Sequence, residues 1–521
     1  MHGKPQNRYH ALFDEEGQKI SVVWKGALVG ILVGIIVVLY RLALTHAEEL
    51  SFAGYAYVRE HPGLIPVLFL ALGALGYGVG ALVSKYRSIS GSGIPQVKGF
   101  MMGYFETGWR STLLFKFLGG TLSILAGLSL GREGPSIQLG ASVAQGVGDR
   151  LAKTRTERKI LIASGASAGL AAAFNAPLAG VMFAVEEVFK YLSPVILLST
   201  MVSAILADCV SRVVFGASPV FSFHIQSGIP LKSYWIVCLI GVLLGCAGAF
   251  YNWMLLTAQR LYKKIAHGDV RIRLMVPFLL AGVVGLLFPV ALGGGHAVVE
   301  HLELSTGIAF LLLILAVKFL FSMVSFGAGA PGGIFFPLLI IGGTIGAVLA
   351  NVAVTYFALD ASLFHNLVIL AMAGYFAAIV RAPFTGIILL LEMTGSFVEL
   401  LPLALVAIIA STVADLIKSA PVYDALLHNM VTDQGIPTEA ESGGKKITVE
   451  TVVHDGSAAA NKRVRELSLP VDCLLIAIRR EGKDIIPKGD TLIKPYDYLI
   501  FLVDVKNEAR QRQRIDALAT A

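Results

Sequence analysis

Charge is scarce in this chain. Only 15% of its 521 residues are Asp, Glu, Lys or Arg, while 55% are hydrophobic. A soluble protein of this length carries about 25% charged residues, which excludes a soluble enzyme or scaffold as the class of the whole chain. Cysteine is scarcer still. The four, Cys209, Cys238, Cys246 and Cys473, show no CxxC pair and no zinc-ligand spacing. That removes a disulfide framework, a metal centre and a thiol redox site, and the four read as small apolar fillers. The formal net charge of +7 is modest. Basic residues gather in loops and at the C-terminal end without an aromatic-basic stripe. They read as topology signals, not as a nucleic-acid surface. Residues 1–19 are polar and lack a cleavable signal pattern.

Apolar runs, by contrast, are abundant. Stretches long enough to span a bilayer, about 20 residues, recur from about residue 22 to 420. The first two cover 22–44 and 64–83. Later ones, such as 136–148, 160–174, 335–357, 366–380 and 384–394, are shorter or broken by Gly and Pro. Interrupted helices are tolerated at membrane depth only where they line a cavity or are buried in protein. The 55 glycines suit close helix packing and such breaks. The loop 149–159 carries Arg150, Lys153, Arg155, Arg158 and Lys159, which places it in the cytoplasm. Lys116 and Lys318 interrupt apolar runs and read as buried structural charges or snorkelling side chains. Gly165-Ala166-Ser167-Ala168-Gly169 matches a hydrolase nucleophile pattern but lies in an Ala-rich run with no histidine nearby. Small residues at a helix interface explain it better.

The chain repeats itself. Residues 135–140 align with 337–342, and Ala176-Pro177 aligns with Ala382-Pro383, with Glu186 matching Glu392 at the same offset. Two halves, about 22–216 and 233–420, therefore share a plan. Such halves meet at a binding site near the midplane.

Three short motifs sit inside those halves: Gly91-Ser92-Gly93-Ile94-Pro95, Gly131-Arg132-Glu133-Gly134-Pro135 and Gly333-Ile334-Phe335-Phe336-Pro337. Each ends in a proline that suits the first turn of a new helix. A helix start offers free backbone N–H groups and the positive end of a dipole. Three of them at membrane depth make an anion site without a lysine. Glu133, an ionisable group at that depth, is a gate candidate. A carboxylate occupies an anion site when ionised and vacates it when protonated.

In this order and within these repeats, the three motifs resemble the CLC chloride channel and transporter family, over roughly residues 22–425. The resemblance implies an all-α polytopic membrane fold with inverted-topology repeats and broken helices, assembled as a homodimer. It implies that Ser92 donates its hydroxyl to chloride, that the backbone N–H groups of Ile334 and Phe335 face the ion, and that Tyr423 closes the site from inside. Glu133 is then the external gate and Glu187 the internal proton site, with Arg132, Gly134 and Gly333 in support. Chloride is weakly hydrated, so neutral donors can replace its water and still release it. Proton-coupled chloride exchange is expected because both glutamates are present. The rivals are a passive voltage- or ligand-gated chloride channel and a membrane-anchored ligand sensor with a vestigial pore. A nitrate variant is disfavoured by serine at 92, and a fluoride variant by the intact second motif. No cofactor and no enzymatic activity are expected. The substrates are chloride and protons, and the site is a bacterial inner membrane with both termini cytoplasmic.

Hydrophobicity falls after about residue 423. Residues 1–21 are expected to be a cytoplasmic segment, 426–446 a linker, 447–504 a small soluble α+β domain, and 505–521 an exposed, helical basic tail. Strands are expected at 447–453, 473–478 and 498–503, with turns at Gly489-Asp490 and Lys494-Pro495. The segments 464–470, 473–479, 485–490 and 498–502 resemble the C-terminal ligand-binding subdomain of potassium-transport regulators, the TrkA-C or RCK-C type. That resemblance implies a dimerising module that binds a small ligand such as a cyclic dinucleotide. The alternative is a cap that only stabilises the dimer.

Overall fold

Long apolar sequences here become long helices, and the Gly/Pro motifs become the places where helices start. The computed structural model describes residues 6–436 and 446–520, apart from 191–192, 222, 224, 226–227, 266–268, 300, 358, 468, 470–472, 481–482 and 505–507. Side chains are described from residue 20 onward, except at 265, 508, 509 and 520. Residues 1–5, the central part of the expected linker (437–445) and Pro470 of the tail motif lie outside the described residues. The chain divides into two compact units, Met1–Leu427 and His428–Ala521.

In the first unit, eight described helices are long and apolar enough to cross a membrane, among them Pro62–Lys85, Pro194–Phe215, Ile308–Gly327 and Ala361–Val380. The first helix exceeds its expected span and runs unbroken from Gln6 to Glu60. Nothing in its sequence stops it at residue 44, because the first proline–glycine pair comes only at Pro62-Gly63. Helix Phe364–Val380 is apolar all round and is the central one, 94% buried over its apolar window. Such a helix must be wrapped by others. It packs against Phe335–Phe357, Leu400–Leu416 and Tyr234–Ile265. Its counterpart in the first half, Arg155–Phe174, packs against Glu133–Leu151 and Pro194–Phe215. Gly165 and Gly169 of the hydrolase-like run lie there against the backbone of Gly140 and Ser136, so the run is a helix contact. Cys209, Cys238 and Cys246 are exposed on long apolar helices instead of filling the core. Membrane lipid is as good a solvent for a small apolar thiol as the interior is.

The two halves make matched contacts. Asn175 and Arg381 end the helices Arg155–Phe174 and Phe364–Val380 in the left-handed conformation, with φ of 55° and 64°. Lys116 Nζ donates to Ile89 O and Gly91 O, and Lys318 Nζ donates to Ala291 O and Gly293 O. Every atom in the second set lies 202 residues after its partner in the first. The two buried lysines thus tie down the same loop in each half through its backbone carbonyls.

The second unit holds a four-stranded antiparallel sheet in the order β1 (Lys446–Val452), β4 (Tyr498–Asp504), β2 (Cys473–Arg480) and β3 (Lys483–Ile485). Phe501 at the centre pairs with Val449 on one side and Leu475 on the other. Strand β3 was not expected, since three residues carry too little alternation to read. The C-terminal stretch is corrected in one respect. It is helical, Glu508–Thr520, but not simply exposed. Ile515 and Ala519 are fully buried, and Ile515 joins Val449, Ile478, Phe501 and Val503 in the domain core. Two apolar positions four residues apart on a charged helix suffice to seat one face.

Candidate functional site

The three motif loops converge and are joined by backbone hydrogen bonds. Gly131 N–H donates to Gly333 O at 2.7 Å, and Gly333 N–H donates to Gly131 O at 2.8 Å. Gly91 N–H donates to Gly329 O at 3.2 Å, and Gly332 N–H donates to Gly91 O at 3.0 Å. From this junction start the helices Ile94–Met102, Glu133–Leu151 and Phe335–Phe357, with Pro95, Pro135 and Pro337 in their first turns. The first N–H groups of each have no carbonyl within their own helix. The first and second motif loops approach closely enough to need glycine at 134. A Cβ on Gly134 would stand 2.8 Å from Ser92 O and 2.9 Å from Ser92 Cβ.

The expected site residues fall around this junction. Glu133 is fully buried, and its Oε2 accepts a hydrogen bond from Phe336 N–H at 3.3 Å. Arg132 Nε stands 3.8 Å from Glu133 Oε1, a loose ion pair. Oε1 has no hydrogen-bond partner among the described residues. Ile334 and Phe335 are buried at the helix start, with the Phe335 ring packed on Phe376 at 4.6 Å and Phe174 at 5.5 Å between centroids. Ser92 is buried, and its Oγ accepts from Ile94 N–H at 3.3 Å, which leaves its own O–H free to donate. Tyr423 is fully buried, and its hydroxyl has no partner among the described residues. Leaving a buried hydroxyl unpaired costs about 1–3 kcal/mol, so the site fits a ligand that accepts a hydrogen bond. Tyr423 lies within electrostatic reach of both Glu133 and Glu187.

The adjacent glutamates Glu186 and Glu187 part ways. Helix Pro177–Phe183 runs into a π-helical turn, Ala184–Phe189, which carries both. Glu186 caps the helix Pro383–Thr394: its Oε2 accepts from Thr385 N–H at 2.8 Å and from Thr385 Oγ1 at 2.8 Å. Glu392 returns the cap, accepting from Leu178 N–H at 3.0 Å and Ala179 N–H at 2.8 Å. Glu187 is buried, and its Oε1 accepts from Lys98 Nζ at 2.6 Å. Lys98 also donates to Asp424 Oδ1, and Lys190 Nζ donates to Asp424 Oδ2 at 2.8 Å. The sequence reading missed Lys98 and Asp424. The signals were faint but present: Lys98 lies three residues past the proline of the first motif, and Asp424 directly follows Tyr423. Among the described residues, no group of three or more His, Cys, Asp or Glu could hold a metal.

Residues 75–415 match the protein family described as voltage gated chloride channel. The chain belongs to the CLC family. The H(+)/Cl(-) exchange transporter ClcA of Klebsiella pneumoniae subsp. pneumoniae is 32% identical over 447 residues, spanning 83% of this chain and 93% of that protein. ClcA of Salmonella gallinarum is 31% identical over 450 residues, spanning 84% and 94%. Among solved structures, a slow cyanobacterial Cl-/H+ antiporter superposes with a TM-score of 0.75 at 30% identity, covering 80% of this chain and 99% of that one. Residues 448–514 match the TrkA-C domain. This CLC chain is thus a multi-pass integral membrane protein that carries a TrkA-C domain after its membrane unit. The TrkA-C match runs into the helix Glu508–Thr520, in keeping with that helix belonging to the domain core.

Proposed function

We propose that this CLC protein exchanges chloride for protons across the membrane. One observation carries the reading: the Glu133 carboxylate is held by Phe336 N–H, at the start of the same helix that would bind the anion. Ionised, it fills the place of chloride; protonated, it lets go. Gate and proton carrier are then one group. Ser92 and Tyr423 supply hydroxyl donors, and Ile334 and Phe335 supply backbone N–H donors at the inner side. Arg132 steadies the gate loop, and Gly134 and Gly333 permit the close approach. Glu187 takes protons from the cytoplasmic side. Relatives named as H(+)/Cl(-) exchangers support this reading.

The deciding experiment is the reversal potential of the purified protein in liposomes under crossed chloride and proton gradients. Exchange moves the reversal potential with the proton gradient. A potential set by chloride alone makes the protein a passive channel. The buried Lys98–Glu187 ion pair is the observation that favours that rival, because a pinned carboxylate is a poor proton carrier. On the same reading the protein is a homodimer in a bacterial inner membrane with both termini cytoplasmic. The module at 447–504, followed by the helix to residue 520, binds a small cytoplasmic ligand. A cyclic dinucleotide is the leading candidate, on the TrkA-C resemblance.

A further inference from the structure

A proton-carrying glutamate must exist in two charge states, yet Glu187 is bonded to a buried lysine. The Lys98 and Glu187 side chains are each only 3% exposed, and their ion pair is 2.6 Å long. Were Glu187 the sole partner of Lys98, each proton taken up would strand an ammonium in the interior. Breaking a buried pair in that way is heavily penalised, so the proton would be refused. The structure gives Lys98 a second carboxylate. Asp424 Oδ1 accepts from the same Nζ, while Asp424 Oδ2 is held at 2.8 Å by Lys190, whose side chain is half exposed.

We propose that Asp424 is a positioning residue for proton transfer, the standing counter-charge of Lys98 that lets Glu187 be protonated and released in turn. The proposal rests on the reading of Glu187 as the internal proton site. A cavity of about 450 Å³ lined by Glu186, Glu187, Lys190, Arg381, Pro421 and Asp424 brings the bulk phase to the carboxylate. Only an O–H bond on Glu187 forms, with the proton taken from that phase. Lys98 leans on Asp424 while Glu187 is neutral. The charged and titratable groups around Glu187 are Lys98 on helix Ile94–Met102, Tyr423 and Asp424 on helix Val422–Asp433, Glu186 and Lys190 on its own segment, and Arg381, which lines the same cavity at the end of helix Phe364–Val380. The network therefore joins the helix that Ser92 precedes to the helix that carries Tyr423. A change of charge on Glu187 is felt at both inner donors of the chloride site.

The test counts protons per chloride with the full chain in liposomes, for wild type, Asp424→Asn, Asp424→Glu and the double variant Lys98→Met with Asp424→Asn. Asp424→Asn is expected to lower the proton count about tenfold or more, since Lys98 then holds Glu187 in its charged form. Asp424→Glu restores the count, because only the charge is needed. The double variant also recovers it, because the lysine that needed compensation is gone. A purely structural role for Asp424 predicts no recovery in the double variant, and that result overturns the proposal. A wild-type proton count in Asp424→Asn overturns it as well. A wild-type protein that moves chloride without protons overturns the exchange reading itself, and this role for Asp424 falls with it.

Discussion

At residue scale, Glu133 stands between two opposing forces. Burial disfavours its charge, while the Phe336 N–H and the nearby Arg132 guanidinium favour it. Replacing Glu133 by Gln or Ala should abolish proton coupling while chloride flux persists. Each charge moved across the membrane is worth about 2.3 kcal/mol per 100 mV, so the loss reads directly as a reversal potential that ignores the proton gradient. Proton pumping that survives in Glu133→Ala would refute the gate. The inner donors make a second prediction. Tyr423→Phe and Ser92→Ala each remove one hydroxyl donor to an anion, a bond worth roughly 1.5–3 kcal/mol. Calorimetry should then show chloride binding weakened about tenfold to a hundredfold in each. Unchanged affinity in both variants would remove Ser92 and Tyr423 from the site. These residues were legible because glycine, proline and a lone carboxylate stand out in an apolar run. Lys98 and Asp424 were not, because their partners lie 89 and 326 residues away along the chain from Lys98. No local pattern records a contact of that span.

At the scale of elements, the repeat was visible as equal offsets, but its reason was not. Glu186 and Glu392 align because each caps the short helix of the other half. The helix starts Pro177 and Pro383 lie at the breaks, where the freed N–H groups have no neighbour in their own helix. A carboxylate from the opposite half satisfies them and also meets the positive end of the dipole. The exchange is reciprocal, as a two-fold relation demands. Glu392→Gln and Glu186→Gln should each lower thermal stability in detergent, with a cost of about 0.5–2 kcal/mol expected for losing a cap. Each carboxylate accepts from two backbone N–H groups of the other half, so both variants should lose stability, with Glu186→Gln losing somewhat more because Glu186 also accepts from Thr385 Oγ1. A large loss in one and none in the other would contradict the symmetric capping scheme. The same logic explains why the helix Glu508–Thr520 was misjudged. Its charge dominates its composition, and only Ile515 and Ala519 reveal the buried face.

At the scale of the whole molecule, two folds with different solvents share one chain. The membrane unit buries a wholly apolar central helix, whereas the TrkA-C domain buries one face of a four-stranded sheet. The composition shift after about residue 423 made that division readable, since no membrane span could contain so much charge. What the TrkA-C domain does for transport was not readable, because regulation depends on how a ligand discriminates between two states of the protein. A ligand shifts the transport rate only by its differential affinity for those states, typically about 1–3 kcal/mol. On the reading of the domain as a regulator, that corresponds to a change in rate of roughly 5- to 150-fold at saturation. The measurement is chloride efflux from liposomes containing the full chain, with and without a cyclic dinucleotide, set beside a chain ending at residue 440. The full chain should respond, and the shortened chain should transport at one rate regardless of nucleotide. Ile515→Ala in the full chain should weaken the response as well, because removing a fully buried isoleucine costs about 2–5 kcal/mol of the domain's stability. If the full chain ignores every nucleotide tried and the shortened chain matches it in rate and thermal stability, the domain has no part in setting the rate.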